Sequence, residues 1–335
     1  MTFDLITVGR ANLDLFSTDI GAPFAEVRHF EAMVGGSPTN VAIATTRLGL
    51  KSIAFTAVGE DRVGDLILDY LENEKVVTDW VFRIPGKSSS LALLGVEPPD
   101  GFPLTFFRDD PADIHLTPDQ AATLPIGESA AVCLTGNAFS RGSCVDAAWF
   151  IATTAHEQGL TVFLDLDLRP TEWATPAAYG ATLRAVLPFV DVVIGTEEEM
   201  WALLSDQPEV VMDGAKTPDL DHLDRLVEEM ANRAPAGQVV VQKRGPRGAS
   251  VLGLSEGTLE VKGFDVEVVN TVGAGDAFAS GLITRRLRDD DWNDAVTFAN
   301  ACGALEVQRH GCSRAFPFHA EVEAFLTDRL GATRG

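Results

Sequence analysis

The stretch "NTVGAGDAFASGL", residues 270–282, sets one carboxylate, Asp276, directly behind Gly273-Ala274-Gly275. Glycines there let the backbone turn tightly and come close to a ligand. A helix that starts at this point leaves its first N–H groups unpaired, and with the positive end of the helix dipole they form an anion site. A carboxylate in such a site is either the helix cap or part of its chemistry. Which of the two it is stays open on these residues alone. A second stretch, "GGSPTNVAIATTRLG" (residues 35–49), reads as a glycine loop followed by a helix whose small residues allow close packing.

Other glycine patterns drop out. "PGKSSS" (residues 85–90) resembles the end of a phosphate-binding loop, but Val81 stands where its first glycine belongs. "GAGDAF" lacks the third glycine of a dinucleotide fingerprint, since Phe278 occupies that place late in the chain. The six histidines form no ligand-like cluster, and the four cysteines show no C-x-x-C spacing, so zinc and a disulfide framework have no support.

Elements that could position these residues follow from periodicity. "LITVGRANLDL" reads as a strand running into a glycine turn. "SIAFTAVG", "AAVCLTG", "TVFLDLDLR" and "QVVVQKRG" read as buried strands, alternating with helical stretches such as "DRVGDLILDYLENEKV" and "AAWFIATTAHEQG". That rhythm predicts an α/β fold with a mostly parallel central sheet flanked by helices. Two segments, roughly residues 11–34 and 87–110, are short, β-rich and carry Pro and Gly, so they suit a small sheet outside the main layer. No repeat or linker divides residues 1–335, which read as a single domain.

Composition narrows the partners. The chain has 335 residues, 46% of them hydrophobic, and a formal net charge of −23. A nucleic acid or an anionic membrane is a poor partner for that surface. No apolar run reaches membrane-spanning length, and "MTFDLITVGR" lacks a basic region followed by a long apolar run. The expected setting is cytoplasmic, with reduced thiols.

In this order and at this distance, the two glycine signatures resemble the N- and C-terminal signatures of the ribokinase-like (PfkB) carbohydrate kinases, and the resemblance covers nearly the whole chain. It implies the ribokinase-like sheet with a small β-lid, and ATP and Mg²⁺ as cofactors. Asp276 would be the base, and the N–H groups around Gly273, Ala274 and Gly275 would hold the developing charge. "GRANLDL" would aim Asp14 at the sugar, beside Gly35, Gly36 and Asn40. "QKRGPRGA", with Lys243 or Arg247 and with Gly245 and Gly248, would border ATP, and Asn300 of "FANACGALEVQRHGC" would line the adenine pocket. The family's Asn-x-x-Glu reads here as Gly195-Thr196-Glu197-Glu198, leaving Glu198 for Mg²⁺. Asn270 replaces a usual aspartate, which argues against a monovalent cation while leaving the base untouched. Lid strands in this family often pair, which implies a homodimer.

For the substrate, Arg108 in "FFRDDPAD" and Arg169 in "FLDLDLRP" supply guanidinium forks suited to a carboxylate, unless they pair with neighbouring aspartates. "GRANLDLFSTDIGAPF", "LGVEPPDGFPLTFFRDDPAD" and "DLDLRP" resemble the 5-dehydro-2-deoxygluconokinase branch of inositol catabolism. The 2-keto-3-deoxygluconate kinases, which usually carry Asn where Asp167 stands, or another PfkB sugar kinase such as a fructokinase, are the alternative, ahead of a non-catalytic sugar sensor that would have lost Asp276 or its glycines. The resemblance implies a sugar acid phosphorylated at its terminal 6-hydroxyl.

Overall fold

In the computed structural model, which describes residues 1–97, 101–212 and 218–331, the first strand ends at a conformation suited to glycine. Strand β1 (Phe3–Val8) stops at Gly9, whose φ is 142°. A Cβ there would lie 2.7 Å from Thr135 Oγ1. Three residues later β2 (Asn12–Ser17) begins, in a different sheet. "LITVGRANLDL" is therefore two strands rather than one, split where the side-chain-free residue lets the chain change sheets.

Among the described residues the main sheet has nine strands. Besides β1 these are β4 (Ser52–Gly59), β5 (Val81–Ile84), β8 (Ser129–Thr135), β9 (Thr161–Asp165), β10 (Val192–Thr196), β11 (Val239–Lys243), β12 (Ala249–Leu252) and β13 (Leu259–Val261). Their order is β13-β12-β11-β10-β9-β8-β1-β4-β5. Pairing is parallel from β5 to β11, and only β12 and β13 join antiparallel. Strands of this sheet are apolar on both sides, as β4 shows by being buried at every position. Adjacent residues of β1 serve opposite cores: Leu5 packs in the cluster of Val41 and Leu282, and Ile6 in that of Ala148 and Ile151.

The helices on the two faces are α1 (Ser37–Arg47), α2 (Arg62–Asn73), α3 (Pro118–Ala121), α4 (Cys144–Glu157), α5 (Pro176–Val186), α6 (Glu197–Leu204), α7 (Glu209–Met212), α8 (Leu220–Arg233), α9 (Ala274–Arg286), α10 (Trp292–Glu306) and α11 (His319–Gly331). None among the described residues is long and apolar enough to cross a membrane. All four cysteines are buried and unpaired.

A second sheet orders β3 (Phe30–Gly35), β2, β6 (Ser90–Leu94) and β7 (Leu104–Phe107) as β3-β2-β6-β7. Apart from Gly35, its strands fall within the two irregular segments. Residues 98–100 of the second segment lie outside the described residues. β2 turns Leu13 and Phe16 inward, whereas the edge strand β7 leaves Leu104 and Phe107 exposed.

Helices α9 and α10 approach closely because their contact is glycine and alanine. A Cβ on Gly281 would lie 2.8 Å from Cys302 Sγ and 2.9 Å from the Cα of Ala299. This contact fixes the direction in which α9 presents its N-terminus. Gly281→Ala forces the helices apart and is expected to lower stability by about 1–3 kcal/mol, measured by denaturant unfolding. An unchanged midpoint would show that the contact does not set the spacing.

Candidate active site

The starts of α1 and α9 meet at Asp276. Gly273, at φ 107°, is the N-cap of α9, and no side chain caps that helix. A Cβ on Gly273 would lie 2.8 Å from Glu306 Oε1 and 2.9 Å from Cys312 Sγ, so glycine is needed on two counts. Asp276 does not cap its own helix. Its Oδ1 accepts from Ser37 Oγ at 2.7 Å and its Oδ2 from Asn40 Nδ2 at 2.7 Å, both in the first turn of α1. Burial, and next the charge of Asp167, raise the Asp276 pKa, while the bonds from Asn40 and Ser37 oppose the rise. The N–H of Ala274 donates to the Thr271 carbonyl at 3.3 Å, and those of Gly275 and Asp276 open beside this carboxylate.

Toward the second sheet, Asp14 accepts from Asn12 Nδ2 at 2.8 Å. Its pKa is pushed up to about 6, chiefly by burial. Gly35 makes room for it, since a Cβ there would lie 1.8 Å from Asp14 Oδ2. Gly36 adopts φ 99°, and a Cβ on it would press to 2.6 Å from the Arg10 carbonyl oxygen. Arg169 sets Nη2 2.9 Å from Asp167 Oδ1 and donates from Nη1 to the Leu168 carbonyl, leaving Nε without a partner among the described residues.

Arg108 is a correction. It is buried, with Nη1 and Nη2 donating to Asp113 at 2.7 and 3.0 Å and Nε to Glu172 at 3.3 Å. Every nitrogen is taken, so it ties its segment down instead of offering a free cation. Its partners are also neither of the adjacent aspartates. Arg10, buried at the joint between the sheets, was passed over because a lone arginine after a glycine carries no spacing signal.

On the other side, Lys243, Gly245, Gly248 and Asn300 line one cavity of about 440 Å³ together with Phe264 and Ala274. Gly248, at φ 93°, sits where a Cβ would fall 2.0 Å from the Val261 carbonyl oxygen. Lys243 Nζ lies 3.2 Å from Asp165 Oδ1 and 3.8 Å from Glu199 Oε2. Arg247 instead pairs at the surface with Glu197.

Glu198 is the second correction. Thr196 caps α6, so the residue three positions on, which the helix turns back toward the cap, is Glu199. Glu199 is buried, with Oε2 accepting from Thr196 N–H at 2.7 Å and Oε1 from Leu168 N–H at 3.2 Å, whereas Glu198 faces solvent. The pattern Thr-x-x-Glu was the available signal. Asn270, fully buried, donates to the carbonyls of Gly311 and Val272 at 2.6 and 3.3 Å and closes its loop with its own amide.

Asp14 holds its proton more tightly folded than unfolded. Between its ordinary 3.8 and about 6 the folded protein binds the extra proton, so stability falls as pH rises through that window and then levels. Asp14→Asn removes this loss. The variant is expected to gain up to about 3 kcal/mol over the parent above pH 6, shrinking toward pH 4, in denaturant titrations at both pH values. A gain independent of pH would overturn this account.

Comparison with known proteins agrees with the geometry. Residues 2–318 match the profile of the pfkB family of carbohydrate kinases. A 5-dehydro-2-deoxygluconokinase from Bacillus anthracis is 31% identical over 326 residues, covering 97% of this chain and 95% of that one. The fructokinase of Vibrio cholerae O395, solved with fructose, ADP and a calcium ion, is 26% identical, with a TM-score of 0.82 over 97% of this chain and 99% of its own. A PfkB protein from Polaromonas sp. JS666 is 28% identical, with a TM-score of 0.78 over 96% and 99%. A match spanning nearly every element described above places this chain in the pfkB family of carbohydrate kinases.

Proposed function

We propose that this kinase transfers the terminal phosphoryl group of ATP to the 6-hydroxyl of 5-dehydro-2-deoxy-D-gluconate. The observation that carries the sugar-acid reading is Arg169, whose side chain is partly exposed, whose Nε has no partner among the described residues, and whose charge acts on Asp276. A neutral sugar needs only hydroxyl partners, whereas a carboxylate suits a guanidinium fork. The name of the Bacillus anthracis relative supports the same reading.

In this reading Asp276 takes the proton of the attacking hydroxyl, and its raised pKa is in the direction a base requires. The N–H groups at the start of α9 hold the charge that develops on the phosphoryl oxygens. Asp14 and Asn40 hold substrate hydroxyls; Asn40 Oδ1 has no protein partner among the described residues. Lys243 faces the phosphates from the 440 Å³ cavity. Mg²⁺, when bound with ATP, neutralises phosphate charge while keeping most of its waters. Asp165 and Glu199, flanking Lys243, are the carboxylates whose chemistry fits that water shell. The second sheet acts as the lid, and closing it excludes water. Its exposed Leu104 and Phe107 form the edge on which a second copy would pair.

Asp276→Asn is expected to lower kcat by about 10²–10⁴-fold with an unchanged circular dichroism spectrum; near-normal turnover would remove Asp276 as the base. Glu199→Gln should raise the Mg²⁺ concentration for half-maximal activity by about tenfold, while Glu198→Gln should leave it alone. The reverse pattern would restore Glu198. In a coupled ATP assay across sugars and sugar acids, kcat/KM should favour the acid over fructose and ribose. A preference for a neutral sugar would refute the proposed substrate.

A further inference from the structure

Arg10 sits in the short link between β1 and β2, where the chain passes from the main sheet to the second one. Its side chain is 4% exposed, yet its Nε and Nη1 have no partner among the described residues. The remaining nitrogen, Nη2, lies 3.6 Å from Asp167 Oδ1, longer than a hydrogen bond. The guanidinium stands 5.6 Å from the ring centroid of Phe106, on β7. A buried cation with most of its donors unfilled is costly unless something else accepts from them. Arg108 gives the contrast within the same molecule: equally buried, it directs all three nitrogens at carboxylates.

Asp167 explains where the open donors of Arg10 lead. Its Oδ1 pairs with Nη2 of Arg10 and with Nη2 of Arg169, drawing the two guanidiniums together and leaving Nε of each unfilled. Its backbone is held at φ 33°, which L-residues other than glycine rarely adopt. Such conformations persist where the surroundings enforce them, often at ligand sites. Asp14, placed above on the substrate hydroxyls, lies within reach of the charges of both arginines.

We propose that Arg10 is the specificity-determining arm of a two-guanidinium clamp on the substrate's carboxylate, with Arg169 as the other arm and Asp167 as the post holding both. The inference rests on the sugar-acid reading above and adds the residue that enforces it. The carboxylate fills Nε and Nη1 of Arg10 while Phe106 of the second sheet covers the guanidinium. A neutral sugar leaves those buried donors empty, which is the strongest ground for rejection a binding site has.

The test compares Arg10→Gln and Arg10→Lys with the parent enzyme. KM for the sugar acid should rise by about 10- to 100-fold with a smaller change in kcat, and the kcat/KM ratio of acid over fructose should collapse by the same factor. Lysine, which keeps the charge but not the fork, should recover only part of the loss. Added without ATP, the acid should raise the melting temperature of the parent and leave that of Arg10→Gln unmoved. If the parent prefers the acid and Arg10→Gln keeps both the preference and the thermal shift, the clamp is refuted while the sugar-acid reading stands. If the parent prefers a neutral sugar, that reading falls and the clamp falls with it. Should neither variant fold, Arg10 is a structural tie to Asp167 and the proposal is wrong.

Discussion

A surplus of buried negative charge governs this cleft. Asp14, Asp165, Asp167, Glu199 and Asp276 face Arg10, Arg169 and Lys243 across the seam between the sheets. Burial raises Asp14 to about 6, Asp165 to about 7 and Asp276 above its ordinary value. Asp167 goes the other way: burial opposes it, but Arg10 and then Arg169 hold it ionised and below the usual range. Each charge is therefore set by its neighbours, which come from the β1–β2 link, β2, the end of β9 and the link after it, α6, β11 and α9. The sheet order, the glycine joints and the meeting of α1 with α9 are what keep those elements in register. A cleft of this sign inside a chain of net charge −23 receives anions only through its few cations, its helix N-termini and a divalent metal.

Much of this was legible from residue types. The alternation of buried strands and helices gave the layers, and the two signatures contain Gly273, Asp276, Gly35 and Asn40, which the structure brings to one cleft. The structure adds the physical reasons: Gly35 yields space to Asp14, and Asn40 donates to Asp276. The misreadings have physical sources too. Glu198 and Glu199 differ by one position, and only the helix cap at Thr196 decides which of them turns inward. Arg108 carried the right chemistry for a carboxylate, but its partners, Asp113 and Glu172, lie 5 and 64 residues away, and one-dimensional reading does not price that competition. Arg10 was illegible because what sets it apart, a buried Nε and Nη1 without a partner among the described residues, exists only in three dimensions.

Several strained and crowded positions lie around the cleft, although Gly253, Lys75 and Asp289 adopt positive φ away from it. Gly9, Gly36, Gly248 and Gly273 all have positive φ and stand where a Cβ would meet another atom, and Asp167 adopts positive φ without being a glycine. Away from the cleft, the strands carry ordinary apolar runs. At the cleft such positions are held by their surroundings, and the regular sheet supplies the stability that tolerates them.

The bonds from Ser37 and Asn40 to Asp276 span 239 and 236 residues. α1 is buried from Ser37 to Thr45, and its Val41 shares a core with Leu282 and Ile283 of α9. During synthesis at about 5–20 residues per second, roughly 10–50 s pass between the emergence of α1 and that of its partner. For that interval the nascent chain carries a helix made to be covered, with neither its apolar contacts to α9 nor the acceptor for its first turn yet made. Completion of this enzyme is thus tied to the last quarter of translation, and a ribosome stalled before it holds a target for chaperone capture.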